Sequence, residues 1–136
     1  MRLLLDTCSL LWALHAPRKL RLASRRAMED SQNSIHVSPL SFWEISLKSS
    51  LGKLEIHGAS PEEIAKMVIE SGWHIAPFLA ETAATFHLLP RIPQHKDPFD
   101  RMLVWMAIRE NFVFVSRDGH LGEYIPFGLK ICAGSE

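Results

Sequence analysis

Residues 2–14, RLLLDTCSLLWAL, join a strand pattern to a helical pattern through one acidic residue. The apolar run at residues 2–5 has the length of a short buried strand, and the stretch at residues 9–14 continues as a helix. Asp6 lies between them, where the strand ends and the helix begins. A buried carboxylate without a partner is strongly destabilising. Asp6 therefore indicates either a helix cap or an oxygen ligand for a cation, and we favour the ligand because Thr7 and Ser9 could cap equally well.

Strand and helix patterns alternate through the rest of the chain. The strand patterns lie at residues 35–38, 73–76, 112–116 and 129–131. The helical patterns lie at residues 20–32, 40–50, 60–72, 81–89 and 97–111. This alternation predicts an α/β fold, with helices on both faces of a central, mainly parallel sheet. The 136 residues suffice for one domain and one core, so we assign residues 1–136 to a single domain.

Further acidic residues lie close to strand ends or helix starts. Asp118 follows the strand at residues 112–116, Asp97 and Asp100 open the helix at residues 97–111, and Glu44 lies early in the helix after the second strand. In a parallel sheet the ligand site lies beyond the carboxyl ends of the strands. We therefore expect these acids and Asp6 to reach one edge of the sheet. Carboxylate oxygens suit Mg²⁺ or Mn²⁺, and the sequence predicts a site for such an ion.

Each of these acids also has an ordinary structural explanation. Asp97 precedes a proline and fits an N-cap, and Asp118 precedes a glycine in a sequence that favours a turn. Glu44 could pair with Lys48 one helical turn later. Asp100 is on the apolar face of its helix, which favours a site role. No pair of histidines has the spacing typical of metal ligands, so the sequence does not predict a site that depends on them.

Composition excludes some classes of function. The formal net charge is zero, so the chain does not hold nucleic acid by bulk positive charge. No apolar run approaches the roughly 20 residues that span a bilayer, so we expect no membrane segment. Cys8 and Cys132 have no metal-ligand spacing. Their placement favours reduced thiols and a cytoplasmic protein.

The segments LLLDTCSLLWAL, VSPLSFWEISLKSSLGKL, PQHKDPFDRMLVWMAI and FVSRDGHLGEY resemble the motifs of PIN domains, and most closely those of VapC-type toxin ribonucleases. The resemblance covers nearly the whole chain. It implies a three-layer α/β/α sandwich and an Mg²⁺- or Mn²⁺-dependent endoribonuclease. It further implies RNA as substrate and inhibition by a cognate antitoxin protein. We also expect a homodimer.

The resemblance assigns roles to particular residues. The acidic catalytic quartet of the family is matched by Asp6, Glu44, Asp100 and Asp118. Asp97 matches an extra acid of the DPFDR subgroup, and it would join the three aspartates of the quartet as a metal ligand. Lys48 and Arg101 are each close in sequence to an acid, and we expect them to contact phosphates of RNA.

Two other functions remain open. Another Mg²⁺-dependent phosphohydrolase would use a similar site, although a phosphatase of the haloacid-dehalogenase kind needs a second aspartate at position 8, where this chain has Cys8. A non-catalytic interaction module could use the carboxylates to bind a basic segment of a partner protein. Metal-dependent cleavage of RNA distinguishes these possibilities.

Overall fold

The computed structural model describes residues 1–56 and 58–132, and within them a five-stranded sheet forms the centre of the molecule. The strands are β1 (Arg2–Leu5), β2 (Ser34–Val37), β3 (His74–Ile75), β4 (Val113–Val115) and β5 (Lys130–Ile131). Their order is β3-β2-β1-β4-β5, and all neighbouring strands are parallel. The predicted parallel α/β fold is confirmed. Residues 133–136 of the predicted domain lie outside the described residues.

Helices cover both faces of this sheet. They are α1 (Thr7–His15), α2 (Leu22–Glu29), α3 (Pro39–Ser50), α4 (Pro61–Glu70), α5 (Ala80–Ala84) and α6 (Pro98–Glu110). Successive side chains of β1 point to opposite faces. Leu3 and Leu5 pack in one buried cluster with Ile64 of α4, whereas Leu4 packs in another with Leu103 of α6. No helix among the described residues is both long and apolar enough to cross a membrane.

The predicted helix at residues 81–89 is interrupted. The structure instead has α5, followed by a short 3₁₀ turn at Phe86–Leu88. The Thr82 carbonyl, which would accept from the Phe86 N–H in a continuous helix, instead accepts from Nε1 of Trp105 at 3.1 Å. The break is therefore stabilised by a side chain of α6, which local sequence does not reveal. The helix predicted at residues 20–32 is also shorter, since α2 ends at Glu29.

The carboxyl ends of β1 and β4 meet at one edge of the sheet. Leu5 is paired with Val115, and the next N–H along, that of Asp6, donates to the Val115 carbonyl at 3.1 Å. The loops that follow the two strands are thus neighbours. The start of α1 and residues 116–118 lie together at this edge, as expected for a parallel sheet.

Candidate metal centre

Asp6 caps α1 from a buried position. Its Oδ1 accepts a hydrogen bond of 2.8 Å from the Ser9 N–H, which is the helix-capping role considered from the sequence. The side chain is at the same time buried, with only 8% of its surface exposed. Burial raises the pKa of this carboxyl group, while hydrogen bonds from Ser116 and Ser9 act in the opposite direction. The nearby charge of Asp118 raises the pKa further. Asp6 is therefore a carboxylate held in one orientation, at the edge where β4 also ends.

Asp118 lies in a tight turn after β4. Its N–H donates to Oγ of Ser116 at 3.1 Å, and its Oδ1 accepts from the His120 N–H at 2.8 Å. The turn role considered from the sequence is thus present. It uses one carboxylate oxygen and directs the other, Oδ2, towards His95.

Asp97 and Asp100 lie at the start of α6 and differ in their surroundings. Oδ1 of Asp97 caps the helix by accepting from the N–H groups of Phe99 at 2.8 Å and Asp100 at 3.1 Å. Asp100 is half-buried, and its pKa is raised to about 7. Burial is the largest cause, followed by the charges of four other carboxylates, which are those of Asp97, Glu44, Asp6 and Asp118. All five predicted acids therefore act on one region of the molecule.

Glu44 is almost fully buried on α3, with 4% exposure. Its Oε1 accepts a hydrogen bond of 2.6 Å from Oγ1 of Thr7, and its Oε2 forms an ion pair with Lys48. The hydrogen bond that Nζ of Lys48 donates to Oε2 of Glu44 is the main reason that the pKa of Lys48 is raised. The i,i+4 pair of Glu44 with Lys48 considered from the sequence is therefore present. Lys48 on α3 and Thr7 on α1 together hold the Glu44 carboxylate in one orientation.

His95 also lies in this region, although the sequence did not predict it as a metal ligand. It lies only two positions before Asp97, and that proximity was the one available signal. One ligand atom from each of His95, Asp100 and Asp118 lies within 4.8 Å of the others, a grouping suited to a metal ion among the residues that the structure describes. The ring is buried, with 4% exposure, and Nδ1 is hydrogen bonded to Oη of Tyr124 at 2.7 Å.

The other ring nitrogen of His95 faces the carboxylates. Nε2 lies 3.2 Å from Oδ2 of Asp118, yet it has no partner of hydrogen-bonding geometry within residues 1–56 and 58–132. Burial lowers the pKa of His95, and the charge of Asp118 opposes this. A buried, neutral imidazole nitrogen therefore points into the cluster of acids.

A family model for the PIN domain matches residues 3–124 of the chain. The chain belongs to the PIN domain family. Among solved structures it is similar to VapBC2 from Rickettsia felis bound to a DNA fragment from their promoter, with a TM-score of 0.66 and 18% identity over 96% of this chain and 97% of that one. At this identity the likeness shows a shared fold. No match was found among curated proteins.

In this PIN domain, Arg101 is engaged within the protein. Its guanidinium donates to the carbonyls of Leu89 at 3.3 Å and Pro90 at 3.1 Å, and to Oη of Tyr124 at 3.3 Å. It also lies 5.3 Å from the ring centroid of Phe86. Arg101 thus holds the segment before α6 in place, and most of its donors are unavailable to a phosphate.

An apolar groove adjoins the acids of the PIN domain on the α3 side. Its volume is about 560 Å³, and we call it the apolar groove; it is lined by Leu40, Trp43, Leu47, Phe78, Ala83, Phe86, Pro98, Phe99 and Met102. Trp43 is 59% exposed and packs edge-on against Phe99, with ring centroids 5.2 Å apart. Two other aromatic residues close in sequence to the acids lie elsewhere, since Phe42 packs against the core and Trp12 lines a different cavity.

Proposed function

We propose that this PIN domain is an Mg²⁺- or Mn²⁺-dependent endoribonuclease and the toxin of a toxin–antitoxin pair. The observation that carries the proposal is the crowding of carboxylates around Asp100, whose pKa is about 7. Like charges held together destabilise the folded protein unless protons or cations neutralise them. Acids that come from the ends of β1 and β4 and from two helices are better explained by a shared cation than by separate capping roles.

The side chains fit a divalent cation. The ligands in this proposal are Asp6, Asp97, Asp100 and Asp118, with Nε2 of His95 as a nitrogen ligand. Carboxylate oxygens suit Mg²⁺ and Mn²⁺, and an imidazole suits Mn²⁺ better than Mg²⁺. In this role the Nδ1–H of His95 donates to Tyr124, as a second partner commonly orients a metal-binding histidine. The buried Nε2 atom, which has no hydrogen bond among the described residues, then acquires a partner.

The chemistry proposed is hydrolysis of a phosphodiester bond. The bound metal would stabilise negative charge on the phosphate as it develops. Glu44, which Thr7 and Lys48 hold in one orientation, accepts a proton from the water that attacks phosphorus. The bond from phosphorus to the leaving ribose oxygen then breaks, and this oxygen takes a proton from solvent. The Lys48 ammonium group, partly exposed beside Glu44, provides positive charge for the phosphate. No serine or cysteine nucleophile is needed.

The proposed partner is an antitoxin protein that binds the apolar groove. An exposed tryptophan in an apolar groove is typical of the anchor points of protein interfaces. A partner segment that places apolar side chains there would bring a basic side chain within reach of the neighbouring carboxylates. It would then block RNA and metal together. The expected homodimer stays a prediction.

A cleavage assay tests the enzymatic part of the proposal. Purified wild-type protein should cut single-stranded RNA with Mn²⁺ or Mg²⁺ and not in EDTA, whereas Asp6→Asn should be inactive. Asparagine caps helices about as well as aspartate, so the variant keeps its fold. Hydrolysis of small phosphate esters without RNA cleavage would instead support another phosphohydrolase. A lack of both activities in protein shown to bind Mn²⁺ would support the non-catalytic module.

A further inference from the structure

A cavity of about 530 Å³ opens beside the candidate metal centre, and we call it the basic cavity. Its lining includes Arg91, Lys96 and Arg101, whereas the described residues contribute no carboxylate to it. His95 also lines the basic cavity, and the same imidazole belongs to the metal-ligand grouping. The basic cavity and the candidate metal centre therefore share a wall.

A tight turn presents two of the basic residues together. The His95 N–H donates to the Ile92 carbonyl at 3.0 Å, and Pro93 occupies the second position of this turn, where proline is favoured. Ile92 and His95 pair as an antiparallel bridge, and Arg91 and Lys96 flank it on either side. Both are exposed, and neither side chain has a hydrogen bond or ion pair to the described part of the chain. Their charges are thus available to a ligand.

Another part of the lining of the basic cavity is fixed by hydrogen bonds and is partly aromatic. Arg101 is fixed by the carbonyls of Leu89 and Pro90 and lies over the ring of Phe86. Phe86 is half-buried and lines the basic cavity. Aromatic rings and guanidinium planes are the surfaces on which unpaired bases stack. This part of the lining therefore suits a nucleobase, while Arg91 and Lys96 suit phosphates.

We propose that the basic cavity binds the single-stranded RNA backbone immediately beside the phosphodiester at the metal centre, an inference that rests on the proposed nuclease function. Arg91 and Lys96 neutralise phosphates of the strand, and a base lies against Phe86 and Arg101. The volume lies in the range of sites for small molecules, which allows about one nucleotide to enter. Since the chain has zero net charge, this local positive charge is what attracts RNA towards the acids.

A binding experiment with a matched control tests this inference. A labelled single-stranded RNA is titrated with wild type and with Arg91→Ala/Lys96→Ala in EDTA, which prevents cleavage, at several salt concentrations. Loss of two phosphate contacts on a single strand should reduce the slope of log Kd against log salt by about 1.4. It should weaken binding roughly 25-fold at 0.1 M salt. The control, Arg26→Ala/Lys66→Ala, removes two exposed charges from α2 and α4 and should leave both quantities close to wild type.

The outcomes separate this inference from the proposed function. If wild type cleaves RNA with metal and Arg91→Ala/Lys96→Ala keeps the wild-type Kd and salt slope, the basic cavity is not an RNA site and the nuclease assignment stands. Equal weakening in the control pair would also overturn the inference, because it would show an effect of overall charge. Loss of binding to a polyglutamate peptide without loss of RNA binding would assign the cavity to an acidic protein segment. A wild type that neither binds nor cleaves RNA overturns both proposals.

Discussion

Asp100 shows at the scale of one residue how the carboxylates destabilise each other. Its pKa is about 7 in the folded protein, compared with an ordinary value of 3.8, because it is buried among other acids. The folded state therefore binds more protons than the unfolded state between about pH 4 and pH 7. By linkage, the contribution of Asp100 to stability falls as the pH rises through this window. Burial raises the pKa of Asp6 as well, so it acts in the same direction.

The first prediction follows from that sign. In EDTA, the free energy of unfolding of wild type relative to that of Asp100→Asn should decrease from pH 4 to pH 7, because asparagine does not titrate. Denaturant unfolding at a series of pH values measures both proteins. Titrating groups outside the acid cluster affect the two proteins alike, so the difference between the curves reports Asp100 and its coupling to the neighbouring acids. Parallel curves would show that this carboxyl group is not perturbed by its neighbours.

The second prediction concerns His95 as a nitrogen ligand. His95→Asn should weaken Mn²⁺ binding by about tenfold or more and Mg²⁺ binding less, because the imidazole favours Mn²⁺. Titration calorimetry measures the two affinities. Pulsed electron paramagnetic resonance of bound Mn²⁺ should show coupling to a nitrogen nucleus in wild type and not in the variant. The control is Tyr124→Phe, which keeps the imidazole and should keep the coupling to nitrogen. If wild type itself shows no coupling to nitrogen, His95 does not bind Mn²⁺ directly.

At the scale of an element, the first turn of α6 combines a cap and a candidate ligand. The third prediction separates them. Asp97→Ala should cost about 1 kcal/mol of stability by removing the cap, whereas Asp97→Asn should cost little. Asp100→Asn should abolish RNA cleavage without weakening the metal-free fold, and Asp97→Asn should reduce cleavage less. Thermal unfolding and cleavage rates give the comparison, and equal, complete inactivation by both asparagine variants would make Asp97 an essential ligand.

Elements with local signals could be predicted from the sequence. The capping box of Ser60 and Glu63 and the cap by Asp97 depend on residues three positions apart at most, and both are present. The end of α5 depends instead on Trp105, which is distant in sequence. The orientation of His95 likewise depends on Tyr124, and that of Glu44 on Thr7. Such contacts arise only from packing, so the sequence indicated the acids and the pair of Glu44 with Lys48, but not the distant residues that orient these side chains.

Metal binding should stabilise the folded protein against thermal unfolding. The fourth prediction is that Mn²⁺ raises the melting temperature of wild type, with a gain of about 2.7 kcal/mol at a concentration 100 times Kd. A ligand variant such as Asp100→Asn should show a much smaller gain. Differential scanning calorimetry in EDTA and in Mn²⁺ provides the measurement. An unchanged melting temperature together with unchanged RNA cleavage in EDTA would rule out the metal site.

The fifth prediction concerns the partner surface. Trp43→Ala should weaken binding of the antitoxin by a few kcal/mol, because Trp43 is the exposed aromatic side chain of the apolar groove. The exposure of this side chain, 59%, means that the variant should fold normally. Ile69→Ala, on α4 and 64% exposed, is the matched control. Co-purification with the protein encoded immediately upstream gives the result, and failure of wild type to retain that neighbour would remove the support for a toxin–antitoxin pair.

The position of β1 at the centre of the sheet also has a consequence for synthesis. β1 pairs with β4, more than 100 residues later in the chain, and Asp6 and Asp118 meet only when that pairing forms. Contacts between such distant segments form late and slow the folding of a domain. A ribosome that has made only the first three strands therefore carries a nascent chain without an assembled centre. The carboxylates that follow β1 and β4 therefore come together only after the ribosome has made β4.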